Sequence, residues 1–418
     1  MPTLEEWEQA LVTPRRVSVE SSLELLAEVE RRHVAKDAKR NAAGQAIPPR
    51  KGALTPVDEF APEVVIEIVP AHMLHRLGVA TTPPIENLAD ICSTWAHLRY
   101  LWAFEVPPPG ATHPPLRLSA DARNIDFHQK GLLSDQIGIG MAAMLLGQYL
   151  DAPLPVDVSV AMSDPAWPIV QQHDASPDYI FFNSSQTSLF IVECKGTQTS
   201  RSNALDQLRR GSEQVPSLTF TDRPNPPSLV VATYLSQDGT RVFVVDPPGD
   251  DDPEDPREYE RTSQRDWRVR DSVDFGRATR LISEAKLLTF AGATQMATSK
   301  VERARTRSRV GPTILPRELT TTENEFGTFR GMRQSVGTQD RFNVEIFQGL
   351  NVDVFDALVA EEPARTDEQL QRFRARARAT RGDPTQEQPV NNVREHGGIV
   401  VRSAGPDGSL FQIRVVPP

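Results

Sequence analysis

The chain has 418 residues, 39% of them hydrophobic, with 46 Lys and Arg against 56 Asp and Glu and a net charge of −10. That length suits two or three domains, and the apolar content excludes a wholly disordered chain. No apolar run approaches the roughly 18 residues of a membrane-spanning helix. The opening residues MPTLEEWEQALVTPRR carry no apolar signal core, and Cys92 and Cys194 are too few for a disulfide scaffold, so a cytoplasmic protein is expected.

Residues 18–38 place Leu23, Leu26, Val29 and Val34 at near-helical spacing and predict an amphipathic helix. VVIEIV (64–69) is short and β-branched, as a strand should be. IENLADICSTWAHLRYLWAF (85–104) predicts a buried helix, and the proline-rich VPPPGATHPP that follows sets a first boundary near residue 118. The run from 130 to 150 predicts a close-packed helix with Ser134 as N-cap. Gly138 and Gly140 lower its helix propensity, which implies a neighbouring element too close for side chains.

DVSVAM and then two strand-like runs, YIFF and LFIVECKG, flank a polar turn. A helix RSNALDQLRRGSEQV and the strands SLVVATYL and RVFVVDP complete an alternating α/β pattern. Seven acids within residues 250–260 read as a solvated linker. Residues 274–292 return to a helical pattern, followed by basic clusters at 300–310 and 371–381. RFNVEIF reads as a strand, and a terminal hairpin turns at Pro-Asp-Gly. The chain is thus divided into a mainly helical region 1–118, a core 119–248, a linking segment 249–310 and an α+β domain 311–418.

The chemistry concentrates at Ser176-Pro177-Asp178 and, fifteen residues after that aspartate, Glu193-Cys194-Lys195. If a tight turn at Ser185-Gln186 joins the two runs, cross-strand partners sum to 371 and Asp178 stands opposite Glu193. Side chains alternate along a strand, so Glu193 and Lys195 share one face and Cys194 takes the other. Opposed carboxylates on a sheet require a compensating cation. Mg²⁺, with Mn²⁺ as a substitute, is the hard ion that takes one or two carboxylates and completes its shell with water and phosphate oxygens.

These residues resemble the PD-(D/E)XK nucleases, whose core is the restriction-endonuclease-like fold: a central mixed sheet flanked by helices. The resemblance covers roughly residues 120–247. It implies that Asp178 and Glu193 bind the metal and that Lys195 serves the attacking water. It also suggests Asp135 as a further acid from the preceding helix and Gln207, with Gln214 on the same face, from the following one. DNA is then the expected substrate, RNA remaining open, with restriction or anti-phage defence as the setting by analogy, and pairing of two copies or a partner protein as the assembly.

Arg201, Arg209, Arg210 and Arg223 flank this site and are candidates for phosphate contacts, since local potential rather than net charge governs nucleic-acid binding. Cys194 reads as a core side chain. The eight histidines show no zinc-like spacing, and Walker A, G-x-G-x-x-G and G-x-S-x-G patterns are absent. The competing expectation is a catalytically silent nuclease fold that binds DNA or assembles with partners.

Overall fold

The computed structural model describes residues 3–48, 52–84, 94, 99–162, 169–171, 175–183, 189–220, 226–247, 273–306, 319–338, 342–380, 390–395 and 398–416. In chain order the longer helices are α1 (Leu4–Val12), α2 (Leu23–Ala42), α3 (Pro70–Thr81), α4 (Phe127–Tyr149) and α5 (Arg201–Gln214). They continue with α6 (Val273–Phe290), α7 (Thr294–Thr306), α8 (Val352–Ala360) and α9 (Pro363–Ala379). Most of the predicted 85–104 helix, the acidic stretch 250–260, Arg223, residues 307–310, Cys92 and the turn at Ser185-Gln186 lie outside the described residues.

Two compact units result, neither of them contiguous in sequence. One comprises Val17–Ile66 with Ile125–Gly276, the other Met1–Arg16, Glu67–Asn124 and Arg277–Pro418. The expected 1–118 region is therefore shared between them, because its residues 17–66 join the central unit.

That central unit is built on a seven-stranded mixed sheet. Its strands are β1 (Arg15–Glu20), β2 (Glu63–Ile68), β3 (Leu154–Asp157), β5 (Tyr179–Phe182), β6 (Leu189–Thr197), β8 (Ser228–Leu235) and β9 (Thr240–Val245). The remaining two, β4 (Ile169–Gln171) and β7 (Leu218–Phe220), pair with each other as a separate ribbon. The sheet order is β2-β1-β9-β8-β6-β5-β3, with β6 parallel to β8, β1 parallel to β9, and antiparallel pairings at β5–β6, β8–β9 and β3–β5. The central strands β5 and β6 are buried along almost their whole length, which explains their continuous apolar runs.

Three local expectations are corrected. Residues 15–20 form β1, so the first long helix starts at Leu23 with Ser22 as its cap; alternate residues of RRVSVE are buried, a strand period that the neighbouring leucines masked. Asp126 caps α4, its carboxylate accepting from the N–H groups of His128 and Gln129. Ser134 lies mid-helix instead and donates to the Lys130 carbonyl at 2.7 Å. DVSVAM divides between the end of β3 and a one-turn helix, Val158–Met162.

The glycines of α4 explain its path. A Cβ at Gly138 would lie 2.7 Å from the Lys195 carbonyl oxygen, and one at Gly196 would run into the Ser134 carbonyl. Backbone meets backbone here, so α4 is seated directly on β6. On the other face α5 covers β6 and β8: a Cβ at Gly211 would meet Val230 and the Glu193 side chain.

The second unit contains an antiparallel sheet of β10 (Thr320–Asn324), β11 (Gly327–Thr338), β12 (Phe342–Asn351), β13 (Val390–Glu395), β14 (Gly398–Ala404) and β15 (Ser409–Val416), in the order β10-β11-β12-β15-β14-β13. Its core gathers Phe326, Phe329, Phe347, Phe373, Ala377, Ala404 and Leu410. The arginine-rich 371–381 run lies in α9 as far as Ala379, with Leu370, Phe373 and Ala377 turned inward while Arg372, Arg376 and Arg378 remain exposed; Arg381 lies outside the described residues. Helix α3 is buried from Pro70 to Ala80. It brings His75 between Ser403 (3.1 Å) and Ser409 (2.9 Å) and Arg76 onto Asp407 at 2.6 Å. Among the described residues no helix is long and apolar enough to cross a membrane.

Candidate active site

Strands β5 and β6 pair as Tyr179↔Val192, Ile180↔Ile191, Phe181↔Phe190 and Phe182↔Leu189, the register that continues to Asp178 opposite Glu193. β5 pairs no further than Tyr179, whereas β6 runs on beside β8 to Thr197. Along this stretch the edge of β6 that faced β5 loses its strand, and buried N–H groups there need acceptors. Asp178 Oδ2 accepts from the Cys194 N–H at 2.9 Å, and the Asp135 carboxylate accepts from the Gly196 N–H. The two acids suspected as metal ligands thus also terminate the sheet edge. This local requirement holds them in place.

Glu193 is fully buried, and its Oε1 is in ion-pair contact with Lys195 Nζ, whose side chain is 23% exposed. Neither Glu193 oxygen has a well-aligned hydrogen-bond donor among the described residues. Burial, and then repulsion from Asp178, push its carboxyl up to about 8, against which Lys195 acts. Burial likewise raises Asp178, partly offset by the Cys194 N–H and Lys195. Asp135 is raised as well, by desolvation and by Asp178, with Lys195 opposing. Burial works against the Lys195 ammonium, but Glu193, Asp178 and Asp135 together outweigh it and hold it above its ordinary range. Three acids, of which Glu193 is buried, Asp178 half-buried and Asp135 exposed, and one amine therefore act on one another.

Helix α5 reaches the same place. Gln207 Nε2 donates to the Gly196 carbonyl at 3.3 Å, leaving its buried Oε1 without a well-aligned donor, and Gln214 Nε2 reaches the Ser176 carbonyl at 3.4 Å. Cys194 faces α4, buried, with its thiol pushed far up by desolvation and then by Asp178 and Glu193. A thiol so placed is inert.

The arginines divide differently. Arg209 does not reach the surface: it is buried, and its guanidinium is spent on Glu213 at 2.7 Å, which corrects its assignment to nucleic-acid binding. Arg201 is paired with Glu28 at 2.7 Å and lies over the Phe243 ring, while Arg210 is exposed.

Sequence reasoning missed Asp157. It ends β3 opposite Tyr179, and its charge raises both Asp178 and the Tyr179 phenol, in each case secondary to burial. Only the long-range β3–β5 pairing reveals it. Also unforeseen is a hydroxyl, imidazole and carboxylate series, in which His33 Nε2 lies 2.9 Å from Ser212 Oγ and Nδ1 lies 3.4 Å from Glu213. It is not a nucleophilic triad, because the Ser212 hydrogen is given to the Arg209 carbonyl at 2.8 Å. These residues, with Arg40 bidentate on Glu213, fasten α2 to α5.

Among the described residues no three His, Cys, Asp or Glu side chains form a ready-made metal cage. The donor set of Asp178 and Glu193, whose carboxylate has Lys195 as its ion-pair partner, instead fits a cation that keeps most of its shell as water and substrate oxygen, as Mg²⁺ does. No family model, curated protein or solved structure matches the chain.

Proposed function

We propose that the central unit is a Mg²⁺-dependent nuclease of the PD-(D/E)XK type, acting on phosphodiester bonds in DNA. The observation that carries this reading is the meeting of Asp178, Glu193, Lys195 and Asp135 at the unpaired edge of β6. The order α4, β3, β5–β6 hairpin, α5, β8, β9 supports it as well.

Asp178 and Glu193 would hold the ion, with Asp135 beside them. When bound, Mg²⁺ supplies Lewis acidity to the phosphate and lowers the pKa of a coordinated water. The rest falls to the chain. Lys195, a compact ammonium with exposure on one side, orients the attacking water and offsets charge as it develops on the phosphate oxygens. Gln207 Oε1, lacking a donor, is available to accept from that water. A buried Glu193, a half-buried Asp178 and an exposed Asp135, all with raised proton affinity, are poor company for each other but good company for a dication, which suits the site to a metal.

The test is cleavage of plasmid and single-stranded DNA with Mg²⁺ by the wild-type chain and by Lys195→Ala. Metal-dependent cleavage lost in the variant is expected. Binding without cleavage under any divalent metal would instead favour the silent DNA-binding module, and neither binding nor cleavage would refute both.

A further inference from the structure

Phe127 opens α4 and is 83% exposed, the most exposed large hydrophobic side chain among the described residues. Its position is set by the helix that also carries Asp135. The stripe of α4 that faces the sheet runs through Gly138 and Ser134, which touch Lys195 and Gly196, and then Lys130, whose carbonyl receives Gln198 Nε2 at 3.4 Å. One turn earlier on the same stripe is Phe127, beyond the last residue of β6. The helix therefore reaches past the last residue of β6, and among the described residues the ring is largely uncovered there.

Next to it, the position where Gly131 would carry a Cβ has no atom within 4 Å among the described residues, and Gly131 and Asp135 are both exposed, so this face of α4 is uncovered at those positions. The eight-residue step from Phe127 to Asp135 rises about 12 Å, the length of three to four stacked nucleotides at 3.4 Å each. The helix terminus offers no competing anion site, since the Asp126 carboxylate already accepts from the first free N–H groups. A single ring, met edge-on by His128 at 6.0 Å, is too small for a protein interface, which needs roughly 800 Å² from each partner. It does match one base, because a base offers a flat face that an aromatic ring can stack on whatever the sequence.

Resting on the nuclease reading, we infer that Phe127 stacks on an unpaired base of a single-stranded DNA segment running past the catalytic carboxylates, and so selects single-stranded or frayed DNA over intact duplex. Paired bases keep their faces covered by neighbours and cannot take the ring without unstacking.

The experiment uses the full chain carrying Glu193→Gln to prevent cleavage, with short oligonucleotides bearing 2-aminopurine, single-stranded or fully paired. Phe127→Ala is expected to weaken single-strand binding roughly 5- to 100-fold and to abolish the stacking-induced quenching of the fluorophore, while duplex binding changes less than about twofold. Phe127→Trp should restore both affinity and quenching. Unchanged single-strand binding by Phe127→Ala, or equal losses on single strand and duplex, would overturn the inference while leaving the nuclease reading intact. A parent chain that binds neither DNA would overturn the nuclease reading itself. The ring is exposed, so an unchanged melting temperature will show that the variants are folded.

Discussion

Glu193→Gln should make the metal-free protein more stable while destroying its activity. The carboxyl is fully buried and raised from 4.5 to about 8. An acid whose folded value is raised leaves the folded state holding the proton between those two values, so stability falls as pH climbs from about 4.5 to 8. At 1.36 kcal/mol per pK unit the full penalty is at most ~5 kcal/mol. Half of that, ~2 kcal/mol, shifts Tm by roughly 4–8 °C in a unit of 150–250 residues.

The amide does not titrate and removes this slope. Lys195 is not stranded by the change, since its ammonium retains solvent contact and the neighbouring Asp178 and Asp135. Mg²⁺ should act in the opposite sense, stabilising wild type by an amount that grows with its concentration over Kd and leaving the variant almost unmoved. Thermal denaturation at pH 5, 6.5 and 8, with EDTA or Mg²⁺, measures all of this. Equal pH slopes for the two proteins, or equal stabilisation by Mg²⁺, would refute the reasoning.

Further predictions follow from other contacts. Lys195→Ala should lower kcat at least ~100-fold while DNA binding, followed by fluorescence anisotropy, persists. Gly138→Ala forces α4 away from the Lys195 carbonyl and should cost about 1–3 kcal/mol in urea denaturation, with reduced cleavage because Asp135 moves too. In the other unit, Asp407 is held below its ordinary value despite burial, by Arg76 and Ser409. Its stabilising contribution is therefore present above pH ~4 and lost as pH falls below that. Asp407→Asn should cost ~3–5 kcal/mol at neutral pH by removing the buried carboxylate that Arg76 pairs with, and should flatten the acid limb of the stability curve measured by urea titration.

What the sequence disclosed and what it hid have physical causes. The hairpin register was legible because an assumed tight turn makes cross-strand partners sum to 371, the sum that Tyr179↔Val192 and Phe182↔Leu189 keep, and strand alternation then sets which side chains share a face. Gly138 was legible because a glycine inside an apolar helix demands a close neighbour. Chain entry was harder. Ser134 satisfies the preferences of an N-cap, but Asp126 is the acid with free N–H groups within reach, and the helix begins there. Arg209 reads as a surface base until the helix turns it inward onto Glu213. Asp157 and the sharing of residues 17–66 with the central unit depend on pairings between distant strands, which no local pattern encodes.

The central claim is that Asp178 and Glu193 share one ion at the free edge of β6. Crystals soaked in Mn²⁺ and measured at its absorption edge test this directly. An anomalous peak within about 2–2.5 Å of a carboxylate oxygen from each residue is the result predicted. A peak elsewhere, or none at this edge in a protein that still cleaves DNA in Mn²⁺, would contradict it.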